Sequence, residues 1–233
     1  MRSYKYNFDL FKGHVIIRNG GSYLLDTGAP WCVDESGEFC FAGNEHLAQT
    51  SYLGVNMRRF SQFVGTPLDA IIGMDAIRDF NMVIDPKMRE FRLRKGALET
   101  ANWFAELPMR IPPLIEVPIA EVQLSCGPVR MIFDTGAPLS YLSREIAVHY
   151  PRTGTAKDFY PTKGWFETET YRVPIELGTE TIEIEVGVLQ TLVERGVIPS
   201  LLGFEGIIGT TLLSDFVVGL VPEEKLVLQK IVG

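Results

Sequence analysis

The chain has few of the residues that metal-dependent or nucleophilic catalysis requires. Its 233 residues include only three histidines and three cysteines. His14, His46 and His149 are far apart in sequence, and none belongs to an HExxH or similar ligand pattern, so a zinc hydrolase is not indicated. The sequence also has no Gly-x-Ser-x-Gly nucleophile elbow and no phosphate-binding glycine loop. We therefore expect neither a metal nor another cofactor.

Disulfide and nucleic-acid chemistry are also disfavoured. Three cysteines fit a reducing compartment better than a disulfide framework. Cys32 and Cys40 flank a turn and could pair across a hairpin, but we expect buried free thiols instead. Lys and Arg number 22 against 29 Asp and Glu, a net charge of -7 that argues against nucleic acid as a partner. The basic cluster at 87–95 alternates with apolar residues, which predicts a solvated strand face.

Long apolar runs are missing too. No segment reaches the length of a membrane-spanning helix, and the first residues lack the apolar run of a signal peptide. We therefore expect a cytoplasmic protein with no membrane partner, unless a leader or prosegment has been removed. Hydrophobic residues still make up 46% of the chain. That content is enough for the core of one large all-β unit or two small lobes.

What the sequence does contain is a long internal repeat. Asp-Thr-Gly-Ala-Pro at 26–30 returns at 134–138, an offset of 108, each time after a short apolar strand. Ile-Ile-Gly at 71–73 returns at 207–209, an offset of 136, so the second half carries a 28-residue insertion between its motifs. We expect the residues just before the first motif to keep the 108-residue offset. Two copies indicate duplication within one domain, because solenoids need three or more.

This repeat resembles the aspartic proteases of the pepsin and retropepsin type. In that family each half supplies a strand ending in Asp-Thr/Ser-Gly and a later apolar-apolar-Gly, and the two aspartates meet at a pseudo-twofold axis. The resemblance implies a mainly β, bilobal pepsin-like or retropepsin-like (acid protease) fold with pseudo-twofold symmetry and a few short helices. It divides the chain into an N-terminal lobe at 1–95, a linker at 96–113 and a C-terminal lobe at 114–233. Short helices are expected after each Ile-Ile-Gly and over 143–149.

The resemblance also implies an activity and its residues. Asp26 and Asp134 would share one proton and activate a water, as in an aspartic endopeptidase, and the partner would be a peptide or protein substrate. Glycine allows close approach of the backbone to the carboxylates, and the threonines would hydrogen-bond across the axis. These supporting residues are Thr27, Gly28, Thr135 and Gly136. Since one chain holds both aspartates, we expect a monomer.

Two further features refine this hypothesis. Ala29 and Ala137 lack the hydroxyl that donates to the carboxylate in pepsins, so we expect a mildly acidic activity optimum. Leu53-Gly54 and Leu177-Gly178 look equivalent, which leaves 26 residues after the motif glycine in the first half and 42 in the second. We therefore expect the substrate flap in the second half, with its tip near 161–165. The predicted substrate-binding residues are Ala29, Ala137, the pivot Gly164, Trp165 and Phe166.

Several alternatives stay open at this point. The hairpin at 38–48 could serve as the flap, with Trp165 as ordinary core. The chain could also be a catalytically inactive peptide-binding or scaffold module that retains the fold. A glycosidase with two carboxylates is disfavoured, because that chemistry separates the carboxyl groups by roughly 5 Å or more.

Overall fold

The computed structural model describes residues 2–98, 103–188 and 203–231, and in these ranges the chain is mainly β, as predicted. The strands in chain order are β1 (Ser3–Phe11), β2 (His14–Arg18), β3 (Ser22–Leu25), β4 (Val33–Asp34), β5 (Glu38–Phe41), β6 (Asn44–Leu47), β7 (Ala70–Ile72), β8 (Asn81–Asp85), β9 (Glu90–Arg94), β10 (Ala105–Arg110), β11 (Ile119–Leu124), β12 (Gly127–Phe133), β13 (Ser140–Leu142), β14 (Arg152–Tyr160), β15 (Gly164–Leu177), β16 (Glu180–Val188), β17 (Gly206–Ile208), β18 (Phe216–Val221) and β19 (Lys225–Lys230).

The helices are short. They are α1 (Met57–Val64), α2 (Met74–Ile77), α3 (Arg144–Ala147) and a 3-10 helix (Thr210–Ser214). The last three lie where helices were expected, whereas α1 was not predicted. Within the described ranges, no helix is long and apolar enough to cross a membrane.

The residue pattern of each strand reflects whether one or both of its faces are buried. In β9, Phe91 and Leu93 are buried while Arg92 and Arg94 are exposed, because successive side chains of a strand point to opposite faces. The basic cluster is therefore the solvated face of a strand, as predicted. By contrast, β7 and β18 are buried along their whole length, which is typical of strands covered on both faces.

The two motif strands make the same pairings. β3 pairs in parallel with β7, with Leu24 opposite Ile71, and β12 pairs in parallel with β17, with Ile132 opposite Ile207. These registers reproduce the 108-residue and 136-residue offsets of the two motifs. Each Asp-Thr-Gly loop is therefore supported by the Ile-Ile-Gly strand of its own half.

Two strands join the halves of the sequence. β8 and β18 pair antiparallel with Val83 opposite Gly219, and the sheet continues outward through β9 and β1 on one side and β19 and β10 on the other. β10 lies within the predicted linker, whose residues 99–102 fall outside the described ranges. Trp103 lies over this joint, since a Cβ at Gly219 would come within 2.9 Å of its ring. The largest cluster of buried apolar side chains draws on both halves.

Strand register corrects two details of the predicted repeat. Ile16 pairs with Leu24, whereas Ile119 pairs with Ile132, so the offset before the motif is 103 and not 108. The hairpin that leads into the second motif is accordingly five residues longer.

The second correction concerns the insertion. Val33 bridges to Gln49, and Tyr141 pairs in parallel with Gly187. Gln49 therefore corresponds to Gly187, and Leu53-Gly54 is not the counterpart of Leu177-Gly178. The added length falls between β13 and β16, and more than half of it lies in the long β14–β15 hairpin.

Candidate active site

The two Asp-Thr-Gly loops meet at the centre of the molecule. Asp26 follows β3 directly, and its backbone N–H donates to the Ile72 carbonyl at 3.0 Å. Asp134 follows β12, and its N–H donates to the Ile208 carbonyl at 2.9 Å. Because each carboxyl leaves the end of a buried strand held by its neighbour, the backbone under it is rigid.

Reciprocal threonine hydrogen bonds join the loops. The N–H of Thr27 donates to Oγ1 of Thr135 at 3.1 Å, and the N–H of Thr135 donates to Oγ1 of Thr27 at 3.0 Å. Each hydroxyl in turn donates to a carbonyl of the opposite strand, Thr27 to Phe133 at 2.6 Å and Thr135 to Leu25 at 2.8 Å. Both threonines are fully buried. The structure thus places Thr27 and Thr135 between the two loops, each hydrogen-bonded to the opposite strand.

Each motif glycine lies against the opposite carboxyl group. A Cβ on Gly28 would overlap the carboxyl of Asp134, and a Cβ on Gly136 would lie 2.6 Å from Cγ of Asp26. Real Cβ atoms do not come so close, so a side chain at either position would push the carboxyl groups apart. Glycine is required here for close approach.

The two carboxyl groups lie close enough for each to change the pKa of the other. Burial, followed by the charge of Asp134 and the hydrogen bond to it, raises the pKa of Asp26 well above its usual range. Burial also raises the pKa of Asp134, although hydrogen bonds from the Gly136 N–H and from Asp26 oppose that rise. Two carboxyl groups this close cannot both ionise at low cost, so the ionisation of one affects that of the other.

A mostly apolar cavity opens above the pair. Its walls come from both halves of the sequence and from the β14–β15 hairpin. They comprise Leu24, Asp26, Tyr52, Phe60, Asp134, Gly136, Ala137, Pro138, Tyr141, Asp158, Phe159, Tyr160, Pro161, Phe166, Val188 and Ile207. No lysine, arginine or histidine is among these described lining residues.

The predicted substrate-binding residues are distributed unevenly around this cavity. Phe166 and Ala137 line it, whereas Ala29 is buried in an apolar cluster beneath the loop. Gly164 closes the hairpin turn with a φ of 82°, a conformation that glycine adopts without strain. Trp165 is 52% exposed and packs edge-on against Phe159, with ring centroids 5.7 Å apart. The hairpin at β5–β6 contributes no residue to the described lining.

Other residues at the site were not predicted. Tyr52 lines the cavity, and its hydroxyl donates to the Gly28 carbonyl at 3.4 Å. Burial, then the charges of Asp26 and Asp134, raises the pKa of that hydroxyl, which therefore stays protonated. Tyr141 donates to the buried carboxyl of Asp158. The sequence of β14 has no regular alternation of apolar and polar residues, so nothing in it indicated that Asp158 would be buried.

His14 lies beside the Asp134 loop. It is 3% exposed, and its ring lies 5.8 Å from that of Phe159. Burial lowers the pKa of His14 to about 4, with Lys12 adding to this effect and a hydrogen bond to the Gly136 backbone opposing it. Nδ1 has no hydrogen-bond partner among the described residues. The ring is therefore neutral at neutral pH.

No set of three or more potential metal ligands comes together within the described part of the chain. All three cysteines lie in that part and are free thiols, Cys32 being buried and Cys40 and Cys126 exposed. Burial and the neighbouring Asp75 raise the pKa of Cys32, so its thiol is not an activated nucleophile. Neither a model of a known protein family nor a curated protein matches the sequence.

Proposed function

We propose that the protein is an aspartic endopeptidase whose catalytic residues are Asp26 and Asp134. The observation that carries this proposal is that the two carboxyl groups, each packed against the motif glycine of the other half and each with a raised pKa, lie together at the floor of a cavity. Such a pair contains an acid and a base at the same place. General acid-base catalysis of hydrolysis needs both.

In the proposed mechanism, a water held between the carboxyl groups loses a proton to the ionised member as it attacks the scissile carbonyl. The protonated member donates to the oxyanion that develops, and a proton later passes to the leaving amine. The water supplies the oxygen of the new carboxyl group and the proton of the leaving amine, so no covalent enzyme intermediate is needed. The crossed threonine bonds serve this chemistry indirectly, because they hold both loops in register.

The cavity supports an extended peptide with apolar side chains as substrate. Apolar walls from Leu24, Phe60 and Ile207 face the hairpin residues Phe159 and Phe166. The cavity has a volume of about 110 Å³, whereas pockets for drug-sized ligands have roughly 300–1,000 Å³. The β14–β15 hairpin therefore has to move outward to admit a peptide, as a flap does.

We further infer a bilobal, pepsin-like or retropepsin-like fold with a pseudo-twofold axis between the aspartates. Support comes from the matched pairings of β3 with β7 and of β12 with β17, and from the reciprocal threonine bonds. Since both aspartates come from one chain, a monomer suffices for activity. The contact between the carboxyl groups also disfavours a glycosidase, which needs them roughly 5 Å or more apart.

The test is cleavage of a diverse peptide mixture from pH 3 to 8, read by mass spectrometry. We expect wild type to cut between apolar residues, and Asp26→Asn and Asp134→Asn each to abolish every cut. Asp79→Asn changes an exposed acid outside the cavity and serves as the control. No cleavage by folded wild type would favour the inactive peptide-binding or scaffold module.

The same experiment gives the pH optimum. Both pKa values are raised, so the singly protonated pair persists to higher pH than in an ordinary carboxyl pair. Neither Ala29 nor Ala137 has a hydroxyl to stabilise the ionised form. We therefore expect maximal activity at mildly acidic pH, and a maximum near pH 2 would contradict this explanation.

A further inference from the structure

We propose that Tyr141 and Asp158 form a positioning pair that fixes the β14–β15 hairpin above the two aspartates. The Tyr141 hydroxyl donates to Oδ2 of Asp158, and Oδ1 of Asp158 accepts the N–H of Phe159 at 2.7 Å. Both side chains are buried, at 6% and 7% exposure. The inference rests on the proposed peptidase function only for its kinetic consequence.

The tyrosine ring is itself held in place. It lies against Gly187 of β16, where a Cβ would come within 2.7 Å of a ring atom. The ring centroid of Phe166 lies 6.5 Å from that of Tyr141. Tyr141 thus occupies a fixed position between β16 and the hairpin, and its hydroxyl presents a defined anchor to Asp158.

The anchor acts at the right place on the hairpin. Asp158 is paired with Phe166, and the next pairs are Phe159 with Trp165 and Tyr160 with Gly164. The hydrogen bond therefore holds the last part of β14 before the residues that cover the cavity. Because losing a buried hydrogen bond leaves its partner unsatisfied, removal of the Tyr141 hydroxyl would let the part of the hairpin that covers the cavity, residues 158–166, move away from the aspartates.

Among the described residues of the first half, no such pair occupies the corresponding positions. Val33 occupies the position that corresponds to Tyr141, as their pairings with Ile71 and Ile207 show, and Asp158 lies within the added hairpin. Tyr141 and Asp158 therefore occur together only in the half that carries the cover. Their hydrogen bond serves the hairpin and is not part of the repeated framework.

The test compares Tyr141→Phe with Tyr171→Phe. The control removes another buried tyrosine's hydrogen bond to a carboxylate, that of Tyr171 to Glu169 at 3.3 Å, on the same hairpin but away from the cavity. Hydrogen exchange is measured at the amides of 158–166. In Tyr141→Phe we expect about tenfold faster exchange there, the order of change that one buried hydrogen bond provides, and no change in the control.

Kinetics use an internally quenched peptide built on the fastest cut found in the mixture. A cover that is closed for a smaller fraction of the time weakens apparent substrate binding by that fraction. We therefore expect Tyr141→Phe to raise KM about tenfold with kcat within about threefold, and Asp158→Asn to act in the same direction. If the two residues act as a unit, the double variant is no worse than the worse single one.

The outcomes separate the two proposals. If wild type cleaves nothing, the peptidase proposal fails, yet the exchange measurement still decides whether Tyr141 holds the hairpin. If hydrogen exchange at 158–166 is the same in Tyr141→Phe as in the control, the proposal that the pair fixes the hairpin is wrong. If Tyr141→Phe shows faster exchange but an unchanged KM, the pair does hold the hairpin, but it has no role in substrate binding.

Discussion

The two halves of the molecule share a framework built from different atoms. In the first half, the Gly73 N–H donates to Sγ of Cys32 at 3.4 Å, and the Cys32 N–H donates to Asp75 at 2.9 Å. In the second half, the Gly209 N–H donates to Oγ of Ser140 at 3.0 Å, and that hydroxyl contacts Thr211 at 2.9 Å. The same positions thus support both loops with different chemistry, which shows that geometry matters more here than residue type.

The hairpins of the two halves, β5–β6 and β14–β15, differ far more than the loops around the aspartates do. In the first half, β5–β6 folds back onto its own body, where Phe41 stacks on Tyr6 at 4.8 Å. In the second half, β14–β15 reaches across to α1 of the first half, where Phe159 stacks on Phe63 at 5.0 Å. The framework around the aspartates is matched, whereas the cover over them comes from one side.

The largest expected effect comes from shortening that cover. Replacing residues 160–164 by Asn-Gly leaves Phe159 and Trp165 as the last pair of a two-residue hairpin turn. Tyr160 and Pro161 then no longer line the cavity. We expect kcat/KM to fall by about a hundredfold or more, because an active site open to water loses its substrate contacts and its low dielectric. Peptide cleavage measures this effect.

The matched change in the first half is Leu47→Ser on β6, at a side chain that is 85% exposed. We expect this variant to keep wild-type activity and both variants to keep the thermal unfolding transition of wild type. Undiminished turnover after replacement of 160–164 would show that the cover does not come from the second half. A loss of turnover in Leu47→Ser would show the same.

Substitutions of Thr27 and Thr135 test whether the two Asp-Thr-Gly loops contribute equally to stability. Thr27→Val and Thr135→Val each keep the shape of the side chain but leave one buried N–H and one buried carbonyl without a partner. We expect each to lower the free energy of unfolding by about 2–4 kcal/mol, measured by urea denaturation. Thr155→Val, at an exposed site of β14, is expected to cost almost nothing. Unequal losses at Thr27 and Thr135 would break the equivalence of the loops.

His14 distinguishes the halves by its response to pH, since the position 103 residues later is the buried Val117. Burial lowers the pKa of His14 to about 4, whereas an unfolded histidine titrates near 6.5. Between these values the unfolded chain binds a proton that the folded chain does not. Stability from this residue is therefore lost as pH falls from about 6.5 to 4, by at most about 1.4 kcal/mol per unit.

The measurement is the free energy of unfolding of wild type and His14→Val over that pH range. The raised pKa values of Asp26, Asp134 and Asp158 act in the opposite direction, because these folded carboxyl groups retain protons that the unfolded chain releases. They are present in both proteins, so the difference in slope isolates His14. Parallel curves would show that His14 does not titrate differently in the fold.

The sequence predicted the parts of this structure that repeat locally. Strand, turn and glycine patterns around Asp26 and Asp134 recur at fixed offsets, so the equivalence of the two loops and of the two Ile-Ile-Gly segments could be derived. Helix α1 was missed although its apolar spacing was visible, with Asn56 as N-cap. Leu53-Gly54 misled because Leu-Gly recurs wherever a strand ends in a turn.

What the sequence did not predict depends on how the hairpin folds back. Tyr141 and Asp158 are 17 residues apart and come together through the tertiary fold, since β14 pairs with β15, β15 with β16 and β16 with β13. Likewise, the position of Trp165 outside the cavity and of Phe166 inside it follows from the strand register. One residue of shift would exchange their roles, since side chains alternate between faces.

The smallest expected effect comes from replacing the sulfur of Cys32 by a hydroxyl oxygen, the acceptor that Ser140 provides in the other half. Cys32→Ser places a hydroxyl where Ser140 has one, facing the same N–H of the glycine motif. A hydroxyl also donates readily to the neighbouring Asp75, whose side chain already accepts the Cys32 N–H. We expect the free energy of unfolding to change by less than about 1 kcal/mol and peptidase activity to persist, whereas Cys32→Val removes the acceptor and costs more. A Cys32→Ser variant as unstable as Cys32→Val would show that the sulfur itself is needed and that the two halves are matched in backbone only.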